Sequence, residues 1–130
     1  MRHKLFIFLT FIISISCFGQ DSTGYWKNGN IKNSGTYSFE KYKDCCVTGY
    51  CERINKFKTG KWTYYYENGQ KMAEGIYLTK TRRKKTRCKG GAKVHYGAFD
   101  KSWKFWDEQG KEIKLKVLLE KGLLTDDKKK

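Results

Sequence analysis

Along residues 60–77, GKWTYYYENGQKMAEGIY, side-chain character alternates with a period of two: Trp62, Tyr64 and Tyr66 on one side, Thr63, Tyr65 and Glu67 on the other. Such alternation in aromatic and β-branched residues predicts a pleated strand. Asn68-Gly69 then suits a two-residue type I′ turn, which makes 70–77 the returning strand of a hairpin. In that register Glu67 faces Gln70, Tyr65 faces Met72, and Trp62 faces Gly75, whose missing side chain leaves room for the indole.

The pattern occurs twice more. Tyr25-Trp26-Lys27-Asn28-Gly29, then Gly35-Thr36-Tyr37, matches Tyr65-Tyr66-Glu67-Asn68-Gly69, then Gly75-Ile76-Tyr77, at an offset of 40. Trp103, Phe105, Trp106 and Gly110 match Trp62, Tyr64, Tyr65 and Gly69 at an offset of 41, with Gln109-Gly110 in place of Asn-Gly. In the first hairpin Trp26 is expected to face Ile31. Recurrence at a nearly constant spacing predicts a repeat architecture in which each hairpin buries its apolar face against the next.

The run W-x-Y-Y-Y-E-N-G with G-x-Y after it resembles the bacterial variant of the MORN repeat, over residues 24–115. The resemblance implies an all-β fold, an extended single antiparallel sheet of consecutive hairpins, with an interaction role and no chemistry of its own. The chain departs from that family in its long links, 38–61 and 78–102, which are where a function particular to this protein is expected.

Outside the repeats the pattern changes. Residues 1–19 read as a signal peptide: Arg2, His3 and Lys4 precede an apolar run at 5–15, too short to span a bilayer, and Cys17-Phe18-Gly19 offers a cleavage site. A competing reading makes Cys17 a lipid-modified N-terminus, although Ser14 stands where such a motif usually has Leu. Only in that case does the protein meet a membrane directly. The repeat domain is then 20–124, with 20–23 a disordered leader and 125–130 a charged, frayed tail. Residues 52–57 are expected to return into the central hairpin through a turn at Thr59-Gly60. Residues 93–99 read as a strand with Val94 and Tyr96 on one side. Ile113, Leu115 and Val117 alternate and extend the last strand, and 118–124 is left as either a short edge-covering helix or more strand.

The 130 residues include no Pro, 16% are aromatic, and the mean hydropathy is −0.78, so the domain is small and its core thin and aromatic. Loss of Arg2 and Lys4 with the leader takes the net charge from +15 to +13. Outside the cytoplasm such charge favours lipopolysaccharide, an acidic polysaccharide or an acidic protein as partner, and lack of access argues against nucleic acid. The same charge also serves simply to keep an aromatic sheet soluble. Its densest part is Arg82, Arg83, Lys84, Lys85, Arg87 and Lys89, six cations within eight residues, read as a loop or the tip of a long hairpin and as the candidate contact for an anionic partner.

Cys45, Cys46, Cys51 and Cys88 predict two disulfides in an exported domain, one joining Cys88 to Cys45 or Cys46 and the other closing the short loop to Cys51. Their spacing does not make a zinc site. No catalytic residue, metal or cofactor is assigned. The histidine of the exported part, His95, has no base or orienter near it in sequence, and Glu67 and Glu108 are equivalent turn positions. The chain therefore reads as a periplasmic or secreted non-catalytic interaction module. The alternative, carried over from the family, is the antitoxin of a toxin-antitoxin pair, which requires a toxin that is itself exported.

Overall fold

The computed structural model describes residues 19–129, and within them the chain forms seven strands and one short helix. The strands are β1 (Gly19–Tyr25), β2 (Ile31–Cys46), β3 (Gly49–Tyr65), β4 (Lys71–Lys84), β5 (Ala92–Ala98), β6 (Lys104–Trp106) and β7 (Glu112–Ile113). Helix α1 (Leu115–Glu120) and a 3-10 turn, Asp127–Lys129, follow. Every pairing is antiparallel, in one open sheet ordered β1-β2-β3-β4-β6-β7, with β5 paired to the far half of β4. Among the described residues the sheet does not close into a barrel.

The three hairpin turns are nearly superimposable in their hydrogen bonds. The amides of Trp26, Tyr66 and Asp107 each donate to the carbonyl four residues on, at 2.8 Å, while Gly29, Gly69 and Gly110 donate back at 3.0 Å. Those glycines have φ of 87°, 87° and 84°, and no non-glycine among the described residues has positive φ. The turns are therefore three-residue loops, a type I turn closed by a left-handed glycine, and not the type I′ turns expected from Asn-Gly. The longer loop shifts the register of the pair next to it, and a bulge restores the expected register further along. Trp62 pairs with Gly75 and Tyr64 with Ala73, but Tyr65 pairs with Lys71, leaving Met72 as a bulge, and in the first hairpin Tyr25, not Trp26, pairs with Ile31.

What joins one repeat to the next is a tryptophan laid on the glycine of the preceding unit. A methyl group built on Gly35 would lie 2.1 Å from Trp62 Cδ2, and one on Gly75 would lie 2.4 Å from Trp103 Cδ2. The room at Gly75 thus serves Trp103 and not its cross-strand neighbour Trp62, contrary to expectation. Each indole also donates to the carbonyl after that glycine, Trp62 Nε1 to Thr36 at 3.0 Å and Trp103 Nε1 to Ile76 at 2.8 Å. Each meets the tyrosine of the same Gly-x-Tyr edge-on, Tyr37 at 4.9 Å and Tyr77 at 4.7 Å. At the turns, Asn28 and Asn68 donate to the Glu67 and Glu108 carbonyls of the following unit. The outer units lack the outward half of the joint: Ser22 stands where the first would have Trp, and Lys116 where the third would have Gly.

The long links are not appended loops but strand. Residues 38–57 continue β2 and β3 into one long hairpin whose tip is Val47-Thr48, and Thr59-Gly60 is a register slip inside β3 rather than a turn. The leader 20–23 is also strand, paired along β2. The expected signal segment and Cys17 lie outside the described residues, apart from Gly19, which opens β1. Leu115 and Val117 belong to α1, so the last strand ends at Ile113, and 118–124 is helix only as far as Glu120. Leu118 and Leu124, 0% and 6% exposed, seal the aromatic core of Trp62, Tyr64, Tyr77, Trp103 and Phe105. The tail does not fray there: Leu124 anchors it, and Asp127 lies 3.8 Å from Lys58.

Candidate functional site

The two long hairpins meet at their far ends. Cys45 and Cys88 lie at disulfide distance, with Cα atoms 4.9 Å apart, and so tie the β2–β3 tip to the β4–β5 tip; Cys46 and Cys51 pair within the first, with Cα atoms 5.9 Å apart. Asp44 supplies a second tie. Its Oδ1 accepts the amides of Cys45 and Arg87, both at 2.8 Å, and its Oδ2 lies 3.6 Å from Arg53 Nε. On the other tip Arg83 Nη1 donates to the Gly90 carbonyl at 2.5 Å, and Gly91 turns back onto Cys88. Only glycine fits at 91, since φ is 66° and a Cβ would stand 2.3 Å from the Lys84 carbonyl.

The basic run does not act as one loop. Arg82, Arg83 and Lys84 are in β4, paired with Val94, Lys93 and Ala92, and only the residues after Lys84 form the tip. The strand period divides them. Arg82 and Lys84 are half-buried, with the Arg82 guanidinium 6.0 Å from the Tyr96 ring centroid and the Lys84 ammonium 5.1 Å from that of Tyr42, so their charged heads rest on aromatic rings. Arg83, Lys85, Arg87 and Lys89 point outward with Lys93. Together with Lys41, Lys43 and Arg53, the tips, residues 41–54 and 82–93, hold ten Lys and Arg against the carboxylates Asp44 and Glu52, a net of +8. Outside the tips the charge is thinner: residues 20–40 balance, with Lys27 and Lys32 against Asp21 and Glu40, while 55–81 carry +3 and 94–130 carry +2. A hollow of about 490 Å³, lined by Arg83, Lys84, Lys85, Thr86 and the Gly90-Gly91 backbone, opens on this end.

Below the tips the hairpins are joined by a buried asparagine and two partly buried polar groups that sequence reasoning missed. Glu40 on β2 accepts the backbone amide of His95 at 2.6 Å and contacts its Nδ1 at 2.5 Å. Asn55, 5% exposed, donates to Glu40 at 2.9 Å and to the His95 carbonyl at 2.8 Å. Burial alone would raise the Glu40 carboxyl, but the bonds from His95 and Asn55 outweigh it and hold it below the ordinary carboxylate range. His95 therefore does have an orienting carboxylate, contrary to expectation, though it comes from 55 positions away. Nothing in local spacing could have announced the pair. Among the described residues no group of three or more His, Cys, Asp or Glu could hold a metal ion.

Two cysteine pairs at disulfide distance fit an oxidising, non-cytoplasmic location. Among the described residues no helix is long and apolar enough to cross a membrane. No protein-family model, no curated protein and no solved structure matches the chain.

Proposed function

We propose that the protein is a non-catalytic binding module of the MORN-variant type, periplasmic or secreted, which holds an anionic polymer of the cell envelope on its paired hairpin tips. The observation that carries this reading is the segregation of charge. Ten cations against two carboxylates gather where the hairpins meet, so that 26 residues carry +8 and the remaining 85 of residues 20–130 carry +5. Like charges held together raise the local potential and the energy of the folded state, so packing does not account for the outward ones, Arg83, Lys85, Arg87, Lys89 and Lys93. Asp44 and the Cys45–Cys88 pair hold the tips in one arrangement, which lowers the cost of ordering them on binding. Arg83 and Arg87 can fork onto phosphate or sulfate groups, and Lys85, Lys89 and Lys93 act as point charges. Lipopolysaccharide and acidic polysaccharides carry such groups in series.

The test replaces Arg83, Lys85, Arg87 and Lys89 with Ser and measures binding to lipopolysaccharide and to heparin over a salt series. Replacement of Lys104, Lys111 and Lys114, far from the tips in sequence and fold, is the control. By analogy with nucleic acids, each lost contact should reduce the steepness of the salt dependence by about one logarithmic unit. A tip variant that binds as tightly as the parent, with the same slope, would refute the assignment.

A further inference from the structure

Lys58 on β3 is placed unusually for a lysine. Its side chain is 16% exposed, and Nζ lies 5.6 Å from the Trp62 and Tyr64 ring centroids and 5.5 Å from that of Tyr77. Aromatic faces there replace part of the ammonium's water. The Asp127 carboxylate, 15% exposed, reaches it from the C-terminal turn at 3.8 Å. Burial first, and then the same carboxylate, raise the Tyr37 hydroxyl above its ordinary value, which places Asp127 beside that ring as well. The Lys58–Asp127 pair forms one wall of a cleft of about 240 Å³ between the two long hairpins. Tyr37, Phe57 and Tyr96 line the other walls, each with a polar neighbour against its ring: Lys56 at 3.9 Å from Tyr37, His95 at 5.7 Å from Phe57 and Arg82 at 6.0 Å from Tyr96.

We infer that this cleft binds a single acidic sugar residue, a pyranose ring bearing a carboxylate or sulfate, and that Asp127 stands in the place of its anionic group in the free protein. The Asp127 carboxylate already sits beside the ammonium, so the cleft has room for an anionic group at that point. An anion is held there against a caged ammonium, and the other walls combine aromatic rings with cationic and polar groups, a lining that suits a ring bearing a negative charge. The volume admits one ring and falls below the usual range for larger ligands. Asp127 is placed to exchange with a ligand, because its turn lies outside the strand pairings of the sheet. The cleft lies apart from the outward cations of the tips, so this inference goes beyond the polymer-binding reading and stands or falls separately.

The experiment titrates the disulfide-intact, exported chain with glucuronate, glucose and inorganic sulfate, following the side-chain resonances of Tyr37, His95 and Tyr96. Glucuronate should perturb all three and glucose none. Asp127→Asn should tighten glucuronate binding, by about tenfold if the turn holds the cleft nine-tenths of the time. Lys58→Met should abolish binding. Because that variant removes a caged cation and can unfold the domain, Lys56→Met, exposed at the rim, is measured beside it and should weaken binding several-fold. The inference is overturned if glucuronate moves none of the resonances in either the parent or Asp127→Asn. It is equally overturned if glucose or sulfate binds as tightly as glucuronate, or if Asp127→Asn leaves the affinity unchanged.

Discussion

Gly35→Ala tests the joint between repeats most directly. Its new methyl carbon would lie 2.1 Å and 2.3 Å from Trp62 Cδ2 and Cε2, with Trp62 only 1% exposed. Carbon atoms rest about 3.5–4.0 Å apart, so the indole must retreat by at least about 1.5 Å into a packed core. Overpacking of that kind costs about 1–3 kcal/mol. The retreat also breaks the Trp62 Nε1 bond to the Thr36 carbonyl, about 1 kcal/mol, and loosens the edge-to-face contact with Tyr37, about 0.5–1.5 kcal/mol. The expected loss is about 3–5 kcal/mol, a large share of the roughly 5–15 kcal/mol that holds a domain together. In a domain of this size the midpoint should fall by at least about 10 °C. Guanidinium melts followed by tryptophan fluorescence, with disulfides intact, would measure it. Gly29→Ala is the control: its φ is 87° but nothing lies within 4 Å of the added carbon, so only backbone strain of about 1–2 kcal/mol is incurred. In a Trp62→Leu background the cost of Gly35→Ala should largely vanish. Equal losses for Gly35→Ala and Gly29→Ala would refute the tryptophan-on-glycine joint.

Other outcomes follow from the same geometry. Burial raises the Tyr64 and Tyr77 hydroxyls well above their ordinary value, so the folded state keeps protons that the unfolded chain releases. This contribution is complete below about pH 10 and is lost as pH rises beyond it, so an ultraviolet titration should show these tyrosines ionising only with unfolding. Glu40 behaves oppositely: its lowered carboxyl stabilises above the ordinary carboxylate range, and that stability is lost as pH falls through the folded value, so Glu40→Gln should flatten the acid limb of a stability–pH profile. Cys45→Ser with Cys88→Ser opens a cross-link spanning 43 positions and should cost about 4 kcal/mol on the chain-entropy model, against about 2 kcal/mol for Cys46→Ser with Cys51→Ser, by the same melts. Intact-mass analysis of the natively expressed protein should give a chain that begins near Gln20 and is lighter by four hydrogen atoms than the fully reduced form. A soluble, uncleaved form retaining Met1 would contradict the export reading.

The hairpins and their spacing were legible because strand alternation and Asn-Gly turns are local signals carried by neighbouring residues. The turn type was not, since Asn68-Gly69 serves equally in a loop where only the glycine needs positive φ, and the added loop residue moves Lys71 opposite Tyr65. Gly75 was correctly placed across from Trp62, yet the pattern could not say which indole covers it, because in-register pairing and packing between repeats each bring a tryptophan near. The charge run hid a strand for a related reason. Arg82 and Lys84 hold their cationic heads over Tyr96 and Tyr42, so residues that count only as polar in a pattern find partners on the inner side of a strand. Glu40, Asn55 and His95 converge only through the crossing of two long hairpins, and Asp127 reaches Lys58 only after the chain has passed α1.

The tryptophan-on-glycine contact has a direction, and direction sets where such an array can lengthen. Each junction needs a socket from one unit and a plug from the following one. The outer faces of the first and third units offer neither, because Ser22 and Lys116 occupy those positions. Copies of the domain consequently cannot stack end to end by reusing the internal joint, and neither can a unit simply be appended. A duplicate of residues 36–75 inserted after Gly75 would instead bring a plug for the socket before it and a socket for the plug after it. Growth of this architecture is therefore by insertion between existing units, with the two ends retained as terminators.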